Sequence, residues 1–140
     1  MWKYKGKILK EIPKDAFGFV YKITCTNTKE YYIGSKQFYS NTNAKISKKR
    51  SNELYSGKGR KPSRERKSIE SNWKIYKSSS KKVQEMIANS KNTFTFEIQT
   101  ICYSKPEMLI LEAMRIGNKF LDKDPLILNE WITLKTPKIK

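Results

Sequence analysis

Period-two alternation runs through Phe19, Tyr21, Ile23 and Cys25, with Val20, Lys22 and Thr24 pointing the other way. This is the pattern of a strand with two distinct faces. Thr26-Asn27-Thr28-Lys29 carries turn chemistry, and Glu30-Tyr31-Tyr32-Ile33 runs back, so residues 17–34 are expected to form a hairpin. Gly34 ends its second strand and allows a backbone or ligand to come close. Residues 93–101 alternate again, with Phe94, Phe96 and Ile98 on one face, which predicts a third strand. Elsewhere the period is helical. Glu70, Trp73 and Tyr76 stand at three-residue steps and predict one short helix face over 69–76. Ser78-Ser79-Ser80 supplies a cap for a helix over 81–89, with Val83, Met86 and Ile87 as its buried stripe. Ser104, followed by Pro106 and Glu107, starts a helix running to about Phe120. Its packed face is expected to be Ile110, Ala113, Met114 and Gly117, with Glu112 projecting away. Asp122 to Pro125 reads as a turn, and residues 126–132 as a short apolar segment that packs on the sheet. The expected class is α+β: a small three-stranded antiparallel sheet flanked by helices.

Length adds one domain over residues 1–140, interrupted by a stretch of different character. Residues 40–68 mix Asn, Ser, Gly and Pro with Lys45, Lys48, Lys49, Arg50, Lys58, Arg60, Lys61, Arg64, Arg66 and Lys67. This insertion is expected to be a long basic loop with a short helical turn, and long loops in compact domains are usually functional or disordered. Residues 135–140 form a basic tail.

The formal charge of +17 changes the picture most. It points to a polyanion partner, and nucleic acid fits better than a membrane surface because no long amphipathic basic helix is evident. No apolar run approaches a membrane span, and no signal-peptide core follows Met1, so a soluble intracellular protein is expected. The chain has no histidine, which excludes histidine general bases and Cys/His zinc ligation. Cys25 and Cys102 fall in strands without CxxC spacing and read as small buried hydrophobes. No Walker-type phosphate loop is present.

Two tyrosines in a hairpin by themselves favour core and cross-strand aromatic packing. Their context narrows the reading. Tyr21, the eleven-residue step to Tyr32-Ile33-Gly34, and a helix carrying Glu112 some eighty residues on together resemble the GIY-YIG nuclease family. The likeness is to its homing-endonuclease-like members found in phages and spans roughly residues 17–132. Tyr32-Ile33-Gly34-Ser35-Lys36, Glu70-Ser71-Asn72-Trp73-Lys74-Ile75-Tyr76 and Asn129-Glu130-Trp131-Ile132 carry it, in that order. The first motif departs from the pattern: Phe19 stands where the family has its first glycine, and Gly18 is displaced by one.

The resemblance implies a GIY-YIG fold and a metal-dependent endonuclease that hydrolyses phosphodiester bonds in double-stranded DNA. It gives Tyr21 the role of base, Tyr32 that of orienting the water or phosphate, and Lys36 an assisting role. Glu112 would hold a single divalent ion, Mg²⁺ or another. The family arginine, on a helix after the hairpin, falls among Arg50, Arg60, Arg64 and Arg66. Arg66 is favoured because it would stand one turn before Glu70 on the same helix, and its fork suits the scissile phosphate. Asn129 would bridge the site to backbone or metal shell. Phosphate contacts are expected from Lys48, Lys49, Arg50, Lys58, Arg60, Lys61, Arg64 and Lys67. Sequence preference is expected from the 40–68 insertion, the tail or a homodimer. The competing reading is a basic nucleic-acid-binding protein, or a degenerate relative, without catalysis.

Overall fold

A computed structural model of the chain describes residues 1–89 and 91–132, and only the backbone at 42–44 and 66. The chain divides into two compact units, one of Met1–Phe38 with Asn72–Lys140 and one of Tyr39–Ser71. The basic tail expected at 135–140 lies outside the described residues.

The first unit is a five-stranded sheet rather than the expected three. Strands β1 (Lys3–Tyr4), β2 (Lys7–Ile8), β3 (Gly18–Cys25), β4 (Tyr31–Gln37) and β7 (Phe94–Cys102) stand in the order β2-β1-β7-β3-β4. The three expected strands are its antiparallel β7-β3-β4 portion. The additional pair comes from the basic N-terminus, where β1 runs parallel to β7. Two-residue strands leave no periodic signal to read. They are held instead by Trp2, whose side chain is buried among Phe19, Tyr21 and Phe96.

β3 is an interior strand, between β7 and β4, and is buried on both faces. Phe19, Tyr21 and Ile23 face one layer, formed with Trp2, Trp73 and Val83 of helix α2 (Lys81–Ala88). Val20 faces the other, formed with Tyr31, Ile33 and helix α3 (Lys105–Leu121) through Met108 and Ile116. The register of β3 on β7 shifts between Val20 and Tyr21, leaving Gln99 as a bulge. Arg115 of α3 donates to Gln99 and Thr100 there. The bulge keeps both Ile98 and Ile101 in the Tyr21 layer.

Both helix starts form as the sequence predicts. Ser80 accepts from the Val83 N–H, and Ser104 from the Glu107 N–H, with Pro106 in the first turn. The packed face of α3 shares Ala113 with the expected one but is centred elsewhere. Met108, Ala113 and Ile116 are buried, while Met114 is 57% exposed. Glu112 therefore stands one turn from both Met108 and Ile116 on the packed stripe instead of pointing away from it. Cys25 and Cys102 are buried free thiols, as expected.

The second unit replaces the expected loop. Strand β5 (Tyr39–Lys45) pairs antiparallel with β6 (Arg64–Glu70), and a short helix α1 (Lys48–Leu54) lies between them in sequence. Residues 64–70 are thus strand, and a turn follows at Asn72–Tyr76, so no helix joins Arg66 to Glu70 or Glu70 to Trp73. Pairing with β5 over seven residues supplies hydrogen bonds that the local three-residue spacing cannot reveal. No helix among the described residues is long and apolar enough to cross a membrane.

Candidate active site

The site begins with the pairing of Tyr21 on β3 opposite Gly34 on β4. The Tyr21 ring lies across Gly34: a Cβ built there would be 2.4 Å from the phenol oxygen and 2.5 Å from Cζ. Gly34 is thus required for close approach, not for an unusual backbone angle. Gly18 plays a similar part beneath α3, where a Cβ would meet the Lys36 carbonyl oxygen at 2.6 Å and Met108 Sδ at 2.7 Å. The displaced glycine of the first motif is therefore a packing necessity at its own position, and Phe19 fills the core beside it.

The Tyr21 hydroxyl donates to Ser78 Oγ at 3.3 Å. Ser78 is buried and holds a positive φ of 92°, a conformation costly for a residue with a Cβ. It is kept there by Gln84, whose side-chain amide donates to the Ser78 carbonyl at 2.7 Å, and by the Ser80 N–H donating to Ser78 Oγ at 3.1 Å. Burial foremost, then Tyr76, pushes the Tyr21 phenol far above the usual tyrosine range.

Tyr32 shares the Tyr21 face, with ring centroids 6.3 Å apart. It is half-buried, and burial followed by the Glu112 charge raises its proton affinity as well. Both phenols are neutral in the free protein. Lys36, two residues beyond Gly34 on the same face, places Nζ 4.3 Å over the Tyr76 ring. Burial holds it below the usual lysine range.

Glu112 approaches from the other face of the sheet. Ser35 Oγ donates to it at 2.6 Å, and burial among the apolar residues of α3 raises its pKa. Among the described residues no lysine or arginine forms an ion pair with it. The two faces meet because β4 is the sheet's edge strand.

That edge is closed by the apolar segment after α3. Tyr31 and Leu126–Leu128 exchange backbone hydrogen bonds, and Ile127 bridges Tyr31 in parallel. Asn129 then binds both backbone groups of Ile33: its Oδ1 accepts from the N–H at 2.9 Å and its Nδ2 donates to the carbonyl at 2.7 Å. The Asn129 amide therefore continues the pairing for one more step and covers groups that an edge strand would leave open.

A cleft of about 480 Å³ opens at this edge, lined by Tyr32, Glu112 and Asn129. Ser79, Ser80 and Lys82 at the start of α2 and Trp131 complete its polar and aromatic wall. Tyr21 lies behind Tyr32, and Lys36 lies over Tyr76 rather than in the cleft wall.

The remaining expected residues lie in the second unit. Arg66 is on β6, and its side chain is outside the described residues. The helical placement that favoured it does not exist, so no arginine is singled out. Arg115 is the only arginine outside residues 39–71, and it is engaged at the β7 bulge. Lys48, Lys49 and Arg50 open α1; Lys58, Arg60 and Lys61 follow it; Arg64 and Lys67 are on β6. Arg50 is committed to Glu65 at 2.7 Å and Glu53 at 3.2 Å, which offsets its charge toward a polyanion. Lys61 donates to Asn52 at 2.8 Å.

Sequence reasoning gave no role to Ser35, Ser78, Lys82 or Trp131, although Ser35 and Trp131 stand within motifs that carry the resemblance. Ser35 had one legible signal, since it follows Gly34 and must face opposite Tyr32. Ser78 was read only as part of a cap, which Ser80 alone provides.

No curated protein and no solved structure matches the chain. The family model described as "Putative endonuclease segE, GIY-YIG domain" matches residues 2–132. With its paired tyrosines, the glycine beneath Tyr21 and the helical glutamate at the same sheet edge, the chain belongs to this GIY-YIG endonuclease family.

Proposed function

We propose that the protein is a divalent-metal-dependent endonuclease of the homing-endonuclease-like kind that hydrolyses phosphodiester bonds in double-stranded DNA. The observation that carries this reading is the cleft shared by Tyr32, Glu112 and Asn129, with the Tyr21 phenol behind it. A formal charge of +17 supplies the attraction to the polyanion.

The donor set fits one small hard cation. Glu112 is a half-buried carboxylate without a cationic partner among the described residues, beside the Ser35 hydroxyl. No cluster of three acidic or thiol ligands exists among the described residues. Mg²⁺ is commonly held by one or two carboxylates with water and substrate phosphate completing the shell, so a lone Glu112 suffices. Such an ion, when bound, would neutralise phosphate charge and acidify a water.

The chain's own groups do the rest. Glu112 fixes where positive charge gathers. Tyr32, neutral and at the cleft wall, orients the attacking water against the phosphate through its hydroxyl. Tyr21, behind it, is the candidate acceptor of the water's proton only as tyrosinate, its own proton having been released to solvent with substrate bound; the new P–O bond then forms, the bond to the leaving sugar oxygen breaks, and that oxygen takes a proton from solvent. Its raised proton affinity opposes loss of its own proton before substrate arrives. Lys36 adds positive charge beside the aromatic cluster. Asn129 holds β4 and the closing segment in register. The cations of the second unit, Lys48, Lys49, Lys58, Arg60, Arg64 and Lys67 among them, contact phosphates.

A second reading has one observation in its favour. Tyr21 is 1% exposed and sits among Trp2, Tyr32 and Tyr76, which a purely structural core tyrosine would also do. The protein would then bind DNA without cutting it. Plasmid nicking with and without Mg²⁺ separates the two. Nicking that requires Mg²⁺ and is lost in Glu112→Ala, with DNA binding retained, supports the endonuclease. Unchanged nicking by Tyr21→Phe removes that phenol from the proton path. No nicking with any divalent metal leaves the binding protein.

A further inference from the structure

Trp131 differs from the other two tryptophans. Trp2 and Trp73 are 1% and 0% exposed, whereas Trp131 is 81% exposed. It lines the cleft that contains Tyr32 and Glu112. Its backbone is anchored on both sides. Asn129 grips Ile33 two residues before it. Ile132, immediately after, packs on the core beneath α3, close to Gly117. An indole in water forgoes the large apolar burial that normally settles tryptophan inside. Here two anchors present it at the mouth of a cleft that also offers the Lys82 ammonium and the carboxylates of Glu112 and Glu130.

We propose that Trp131 is a nucleobase-stacking residue: DNA entering this cleft lays an unstacked base on the indole face while Lys82 contacts a neighbouring phosphate. The chemistry of the wall favours this occupant. A nucleotide carries both a flat π face for the indole and a negative charge for a chain of +17. An apolar protein partner would satisfy only the first. The cleft's volume of about 480 Å³ lies in the range of sites that enclose ligands of nucleotide size. Every base has a stackable face, so the contact tolerates any sequence and positions the strand without reading it. Where the base flanks the cut phosphate, the inference rests on the endonuclease reading; the stacking itself requires only DNA in the cleft.

Tryptophan emission tests this directly, because only Trp131 of the three is open to solvent. The full chain, free of divalent metal, is titrated with a short single strand and with a blunt duplex of the same sequence. Quenching of the emission is expected on binding, stronger with the single strand, whose bases are already unstacked. Trp131→Ala should lose the quench and bind the single strand about five- to a hundredfold more weakly. Trp131→Phe, which keeps a ring, should retain most of the affinity. Trp131→Ala binding as tightly as wild type, or keeping the quench, overturns the proposal. Plasmid nicking is measured alongside. Nicking by wild type with an unchanged KM in Trp131→Ala overturns the stacking role and leaves the endonuclease standing. Quenching without any nicking supports the stacking role and overturns the endonuclease.

Discussion

Replacing Gly34 by alanine tests the contact from which the site is built. The added methyl would stand 2.4 Å from the Tyr21 oxygen, 2.5 Å from Cζ and 3.0 Å from Cε1. Non-bonded heavy atoms prefer about 3.5–4.0 Å, so the ring or the strand must shift by about 1 Å. The ring has little room to yield. Trp2 lies 5.0 Å away and Tyr76 6.1 Å by centroid, and Ser78 holds the hydroxyl. Overpacking of this kind costs about 1–3 kcal/mol. Removing a flexible glycine from a strand offsets about 0.5–1 kcal/mol. Taking the middle of both ranges, the net loss is about 1 kcal/mol, or about 3–4 °C in Tm for a chain of this length. Gly117→Ala is the internal control. A methyl there meets only Ile132 Cδ1 at 3.5 Å, an ordinary contact, and lies within α3. It should stabilise by about 0.5–1 kcal/mol through helix propensity. The Tyr21→Phe/Gly34→Ala double variant removes the nearest clash and leaves the one at Cζ, so it should recover part of the loss. Urea unfolding followed by circular dichroism reads all four proteins. A Gly34→Ala variant as stable as wild type would refute the claim that the glycine exists to admit the phenol.

Three further outcomes follow from the site. Glu112 has a raised pKa in the folded state, so the folded protein binds that proton more tightly than the unfolded chain. Stability from this group is full below the ordinary glutamate range, about pH 4, and is lost as pH rises through the folded value. Glu112→Gln should therefore raise Tm at neutral pH, with the advantage shrinking on acidification; an equal gain at every pH would contradict burial as the cause. Asn129→Ala leaves the Ile33 N–H and carbonyl without their side-chain partner, and a loss of about 1–3 kcal/mol is expected, with faster hydrogen exchange at the Ile33 amide. Unchanged exchange there would show that the clamp does not hold in solution. If the second unit contacts phosphates, Lys48→Ala and Lys49→Ala should each lower the slope of log affinity against log salt by about 1; an unchanged slope removes them from the interface.

Much of the fold is legible in local pattern because much of it is local. The β3–β4 hairpin, the period-two run of β7 and the serine caps at Ser80 and Ser104 depend on spacing and on side chains bonding their own neighbours. The N-terminal strands escaped because two residues are too few to show a period and β1 is placed by its distant partner β7, and the β5–β6 pair because each strand's hydrogen bonds come from the other side of a long intervening segment. Residues 64–70 show the failure plainly. Glu70, Trp73 and Tyr76 at three-residue steps suggest a helix face that would take in Arg66 one turn earlier, and pairing with β5 makes Arg64–Glu70 strand. The wheel of α3 sets Glu112 between Met108, Arg115 and Ile116, away from a face expected at Ile110, Ala113, Met114 and Gly117; Ala113 is buried, but so are Met108 and Ile116, which brings Glu112 onto the packed side.

The sequence alone determined that this is a basic chain without histidine, with two tyrosines in a hairpin, a helical glutamate and the motifs of a nuclease family. Those are matters of residue type and spacing. Only the tertiary structure decided that Tyr21 lies over Gly34, that Asn129 continues the sheet edge, and that Tyr32 and Glu112 meet although they start from opposite faces. The reason is that β4 is an edge strand: side chains from both faces converge only where a sheet ends, and which strand ends it is fixed by long-range pairing.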